Sequence, residues 1–153
     1  MKRAFPLLVV VLLLTGTFAA RAEDRSKKEE YELQERCGKR AEELFRRDWG
    51  NSGIVKGKDS TTTANFENHY NTKLNKCFEK LETIVIPHQA RSFDSITTRH
   101  IFDVNEQRTY AILMYSYRSA GGGGFHILTC DVAGKSCDSE KEWQAMASHY
   151  MDE

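Results

Sequence analysis

The hydrophobic pattern divides the chain into a leading apolar run, two stretches of helical period and a middle of strand-like runs. Leu7 to Leu14 is unbroken and apolar, with Lys2 and Arg3 ahead of it and Ala20-Arg21-Ala22 behind. That order is the n-region, h-region and small-x-small cleavage site of a signal peptide. The run is shorter than the ~20 apolar residues a bilayer span needs. Cleavage near Ala22 is therefore expected, with residues 1–22 removed and 23–153 forming a single domain. No stable membrane insertion is expected after cleavage.

Residues 24–49 carry the clearest helical signal. Leu33, Cys37, Ala41, Leu44 and Phe45 recur at helical spacing and define one apolar stripe. Ser26 with Glu29 reads as a capping box. Glu32/Arg36, Glu35/Lys39, Glu42/Arg46 and Glu43/Arg47 are acid-before-base pairs at i,i+4, the favourable order on a solvated face. Gly50-Asn51 supplies a stop. Residues 50–63 have the composition of a loop.

The stretch 65–87 is ambiguous. Phe66, Tyr70, Leu74 and Phe78 suit one face of a strand, whereas Leu74, Cys77, Phe78 and Leu81 suit a helix. The asparagines at 65, 68, 71 and 75 disfavour helix, and Thr83-Ile84-Val85-Ile86 favours strand. The expectation is one strand ending at Pro87, with 65–80 open between strand and helix. Residues 97–104 and 108–118 read as a hairpin around 105–107, its second arm apolar on both faces as in a central strand. Gly121 to Gly124 make a turn, and 125–130 return as a strand. A last helix starts near Ser139, with Glu142 completing a capping box and Trp143, Met146, Ala147, Tyr150 and Met151 as its buried stripe. The expected fold is α+β: an N-terminal helix, an antiparallel sheet of three or four strands, a C-terminal helix and two disulfides, in two layers.

Cysteine and charge narrow the class. Cys37, Cys77, Cys130 and Cys137 all follow the cleavage site, and an even count in an oxidising compartment reads as two disulfides. Cys130 and Cys137 flank a short turn-rich loop, which leaves Cys37 with Cys77. Loss of Lys2, Arg3 and Arg21 from 22 basic residues leaves 19 against 22 acidic ones. There is no clustered basic excess of the kind nucleic acid requires.

Candidate chemistry is sparse. The four-glycine run lacks the lysine and following helix of a phosphate loop. The five histidines, His69, His88, His100, His126 and His149, show no metal-ligand spacing; His100 and His126 could meet only on neighbouring strands. No nucleophile elbow exists, and four paired cysteines leave no thiolate. Glu67, Glu79 and Glu82 carry little information as candidate paired carboxylates. No catalytic residue, metal site or cofactor is expected. The polar cluster Asn68, His69, Tyr70, Asn71 and Lys73 is the candidate binding patch, set against a structural reading in which it holds the backbone.

His69-Tyr-Asn-Thr-Lys-Leu-Asn-Lys-Cys-Phe78 resembles the H-Y-N-x-K-L-x-K-C-F segment of an uncharacterised family of small exported bacterial proteins. The likeness extends to the early helical cysteine, the hairpin turn at Asp103-Val-Asn-Glu106 and the closing helix. It implies a periplasmic or secreted location and supports the Cys37–Cys77 pairing. It implies no activity. The functional expectation is a non-enzymatic binding module for a protein or cell-envelope component. The alternative is an envelope hydrolase using His69 with nearby carboxylates.

Overall fold

A computed structural model describes residues 16–89, 93–119 and 123–152, with side chains from Ser26 onward. The n- and h-regions of the expected signal peptide lie outside these residues. Helix α1 spans Gly16–Trp49 and helix α2 spans Glu140–Met151. Between them run β1 (Ile54–Lys56), β2 (Ser60–Asn71), β3 (Lys76–Pro87), β4 (Ser95–Asp103), β5 (Arg108–Arg118), β6 (Gly124–Val132) and β7 (Lys135–Ser136). Each strand pairs antiparallel with the next, giving one seven-stranded sheet in the order β1 to β7. No described helix is long and apolar enough to cross a membrane.

This corrects the expected sheet of three or four strands, and three stretches account for the difference, one being β7, which lies inside the expected turn-rich loop between Cys130 and Cys137. The expected loop 50–63 contains β1 and the start of β2. The expected single strand 65–87 is most of a hairpin, β2 and β3 turning at residues 72–75. Asn75 supplies the left-handed turn residue with φ 52°, a conformation asparagine tolerates better than most side chains. The Asn71 side-chain oxygen accepts the Leu74 N–H at 2.9 Å. The chain reverses where the alternation of Tyr70, Leu74 and Phe78 gave no sign of a break.

The reversal decides which side chains share a face. Tyr70 pairs with Cys77 and His69 with Phe78, so neighbouring residues of each strand point to opposite sides. Cys77 and Tyr70 pack with Cys37, Ala41, Leu44 and Val104 beneath α1. Phe78, Ile101, Ala111 and Leu113 pack with Trp143, Ala147 and Tyr150 of α2. The helices therefore lie on opposite faces, and the domain has three layers instead of the expected two.

Helix α1 buries the expected stripe, with Ala41 fully inaccessible and Phe45 stacked on Phe66 at 4.5 Å between ring centroids. Its start differs from expectation. The helix already runs through Ser26, so no capping box forms there. Glu35–Lys39 and Glu42–Arg46 pair as expected, but Arg36 bonds the Glu32 carbonyl and Arg47 turns to Asp48. Gly50, at φ 68°, ends the helix and donates to the Arg46 carbonyl. Residues 26–32 are all exposed, so α1 first meets the sheet near Leu33. Gly53 has no alternative: a Cβ there would sit 2.4 Å from the Ala64 carbonyl oxygen.

Both disulfides join the expected partners, Cys37–Cys77 and Cys130–Cys137, with Cα separations of 5.4 and 5.1 Å. The first fastens α1 to β3. The second closes the β6–β7 turn just ahead of α2. Ser139 caps α2, accepting from the Glu142 N–H at 3.1 Å. Glu142 reaches back to the N–H of Asp138 instead of Ser139, one residue beyond the expected box.

Candidate binding cleft

Two rows of side chains cross the α2 face of the sheet. Asn65, Glu82 and Arg99 are opposite one another on β2, β3 and β4, and Glu67, Lys80 and Ile101 form the adjacent row. Helix α2 lies over one end of these rows. It presents Trp143, Ala147 and Met151 at i,i+4 spacing, with Gln144 and Ser148 beside them. Between helix and rows is a cleft of about 580 Å³, also lined by Asp152. Its inner part is apolar (Ile101, Trp143, Ala147), and charge is concentrated on the strand side.

Charges in the cleft are neutralised in place. Lys80 pairs with Glu67 at 2.7 Å. Arg99 is shared by Glu82 of β3 and Glu140 at the start of α2, where the helix dipole also favours an acid. Burial opposes the Arg99 charge, but the bonds to Glu82 and Glu140 outweigh it and its pKa is raised. Every lysine and arginine lining the cleft thus has a carboxylate partner. The Trp143 indole N–H is buried and has no hydrogen-bond partner among the described residues.

The expected binding patch is not gathered in this cleft. Asn68 and Tyr70 point to the α1 face, His69 and Asn71 to the α2 face, and Lys73 is exposed on the turn. Two of the five are committed to the fold. The Tyr70 N–H donates to the Gln34 side chain at 2.9 Å, and its hydroxyl meets Asn75. Asn71 is 1% exposed. Its amide donates to the His149 carbonyl at 2.9 Å, with the Tyr150 and Asp152 carbonyls at 3.4 and 3.5 Å. That one side chain holds both the β2–β3 turn and the C-terminal end of α2. His69 is half-buried beside Phe78. Glu67 and Glu82 reach the cleft, whereas Glu79 faces the other way.

Glu79 is a separate electrostatic feature. It is 1% exposed on the α1 face, and its Oε2 has no hydrogen-bond partner among the described residues. Burial, reinforced by the nearby Asp48 charge, pushes its pKa up to about 7. His100 lies diagonally across on the same face, one strand over. Burial lowers its pKa, and its Nε2 is likewise unpartnered among the described residues. His100 and His126 do not meet, because β5 lies between their strands. Among the described residues no group of three or more His, Cys, Asp or Glu side chains is arranged to hold a metal ion.

Arg99, Lys80 and Gln144 went unremarked in the sequence. The signal that could have found them is cross-strand register, which required the turn at 72–75 to be recognised first. Comparison of the chain with protein-family models, curated proteins and solved structures finds no match.

Proposed function

We propose that this chain is an exported, non-enzymatic binding module that engages a protein or cell-envelope component through the cleft between α2 and strands β2–β4. Export rests on the signal-peptide pattern of residues 1–22, on two disulfides of the kind oxidising compartments permit, and on the family resemblance at 69–78. Residence in the periplasm or the extracellular medium follows from it.

The observation that carries the binding reading is the self-neutralised lining of the cleft. A general acid or base works best with a pKa near the operating pH. In the cleft the resolved shift is that of Arg99, which moves away from neutrality. The carboxyl with a pKa near 7, Glu79, lies on the opposite face. Paired carboxylates, amides and a guanidinium around an apolar floor instead suit recognition of a ligand with both polar and apolar surface. No lysine or arginine of the lining is left over for a phosphate or other strong anion.

The test is amide chemical-shift mapping of the labelled protein against soluble peptidoglycan fragments, neutral oligosaccharides and extended peptides. Ser148→Trp, which fills the cleft from an exposed helix position, serves as the control. Shifts confined to residues 65–67, 80–82, 99–101 and 143–152, abolished by Ser148→Trp, are expected. Shifts elsewhere would overturn the assignment of the site. Turnover of a peptidoglycan fragment that vanishes in His69→Ala would replace the reading with the hydrolase one.

A further inference from the structure

The two edges of the sheet are finished differently. On one side the edge strand β1 is three residues long and carries Lys56. Beyond it, the outward N–H of Tyr70 on β2 is taken by Gln34. A short strand, a lysine and a side-chain cover are ordinary protections of a sheet edge. On the other side β7 covers only Asp131 and Val132 of β6, with one further bond from the Cys137 N–H to the Cys130 carbonyl. Residues 124–129 have no outer strand partner among the described residues.

That open edge is apolar. Gly124-Phe-His-Ile-Leu-Thr-Cys130 contains no acid, lysine, arginine or proline. Phe125 is 70% exposed, Leu128 52% and Ile127 41%. Phe125 is held by Tyr115 and Tyr117 of β5, with ring centroids 5.5 and 5.1 Å away. Phe125 and Ile127 share one face, opposite Tyr117 and Tyr115, and the register slips at Leu128. An uncovered, uncharged strand with aromatic and β-branched side chains is a template for another strand.

We propose that β6 pairs antiparallel with β6 of a second copy of this chain, joining two seven-stranded sheets edge to edge about a two-fold axis. The segment is self-complementary. A two-fold centred on His126 places Phe125 of one copy beside Ile127 of the other, twice over, and brings no acid opposite an acid or lysine opposite lysine. An edge without charge has nothing with which to select a charged foreign strand, whereas its own copy meets every requirement of the pairing. Six residues of strand make a small interface, so association lies at roughly micromolar to millimolar concentrations.

The test is sedimentation velocity of the purified, disulfide-intact chain from about 10 µM to 1 mM, with amide exchange followed over the same range. A monomer–dimer equilibrium is expected, with protection at 124–129 rising with concentration. Ile127→Lys and Leu128→Lys, both at exposed positions, should weaken association at least about tenfold with unchanged circular dichroism and melting. His126→Cys adds one thiol to a chain whose four described cysteines are all paired. Mild oxidation should give a covalent dimer from this variant and none from Lys135→Cys. A monomer at 1 mM with fast exchange at 124–129 would overturn the proposal. So would protection at 124–129 that persists on dilution, which would mean the chain covers its own edge. Pairing with added extended peptides but never with itself would assign the edge to a foreign strand instead.

Discussion

Replacing Glu79 by Gln tests whether a buried carboxyl makes the fold pH-dependent. The side chain is 1% exposed beneath α1, and its pKa rises from the ordinary 4.5 to about 7. A raised carboxyl pKa means that the folded state holds the proton more tightly than the unfolded chain. Below pH 4.5 both states are protonated and the group costs nothing. Between 4.5 and about 7 stability falls as pH rises, and above 7 the whole cost is present. At about 1.4 kcal/mol for each pH unit, the cost reaches roughly 3 kcal/mol. Glutamine cannot ionise, so this segment of the pH profile disappears. The assay is urea unfolding of both proteins at pH 4.5, 6, 7 and 8. The quantity to read is the change with pH of their stability difference, because any fixed penalty for burying an amide cancels. His100 titrates nearby but is present in both proteins. The difference should move by about 3 kcal/mol in favour of the variant between pH 4.5 and 8. A difference that stays constant across the range would refute the argument. Asp48→Asn, which removes the neighbouring charge, should reproduce a smaller part of the effect.

Three further outcomes are expected. Asn71→Ala should cost about 2–3 kcal/mol in chemical unfolding, because it orphans buried carbonyls at the end of α2 and the Leu74 N–H together. Asn71→Asp should cost more at neutral pH, since a carboxylate would face those same carbonyl oxygens. Cys37→Ala/Cys77→Ala should lower stability by about 3–4 kcal/mol through the unfolded chain, and α1 should show the larger gain in amide exchange. Asp103 is held below the usual carboxylate range: burial opposes its charge, but Lys76 at 2.7 Å and the N–H groups of Glu106 and Asn105 prevail. Its contribution is therefore present above about pH 4 and lost as pH falls further, so Asp103→Asn should destabilise at pH 7 and lose its effect in acid.

Helix α1 was legible because its stripe depends on period alone: Cys37, Ala41, Leu44 and Phe45 must face one way whatever they pack against. Helix α2 was legible for the same reason, and Ser139 marked its start. The sheet was harder to read. Thr61-Thr62-Thr63 are β-branched and suit a strand, but they lie beside the sheet edge and need no apolar alternation, so glycine and lysine nearby gave them the look of a loop. At 71–75 the turn residues were visible one by one, yet Leu74 continued the apolar spacing across the reversal. That single misreading also hid the cleft. The rows Asn65–Glu82–Arg99 and Glu67–Lys80–Ile101 exist only once β2, β3 and β4 are placed side by side, because their neighbouring members are 13 to 21 residues apart in sequence. The polar cluster at 68–73 spans the end of β2 and the start of the hairpin turn, with Tyr70 bonded to α1 and Asn71 to α2.

The alternation of β3 separates two electrostatic regimes. Lys80 and Glu82 point to the cleft, where each has an opposite charge in contact. Glu79 points to the other face, where Glu79 and His100 both retain buried atoms without a hydrogen-bond partner among the described residues. These two groups act in opposite directions. Ionising Glu79 removes stability as pH rises from 4.5 to about 7, whereas protonating His100, whose pKa is lowered by burial, removes it as pH falls below the ordinary histidine value. Below the ordinary histidine value the two slopes oppose each other, and above it only the loss from the carboxyl remains. Taking away the carboxyl leaves the imidazole slope unopposed, so Glu79→Gln should gain stability as pH rises towards the ordinary histidine value. A Glu79→Gln variant whose stability does not rise between pH 5 and about 6.5 would show that His100 does not set the acid side.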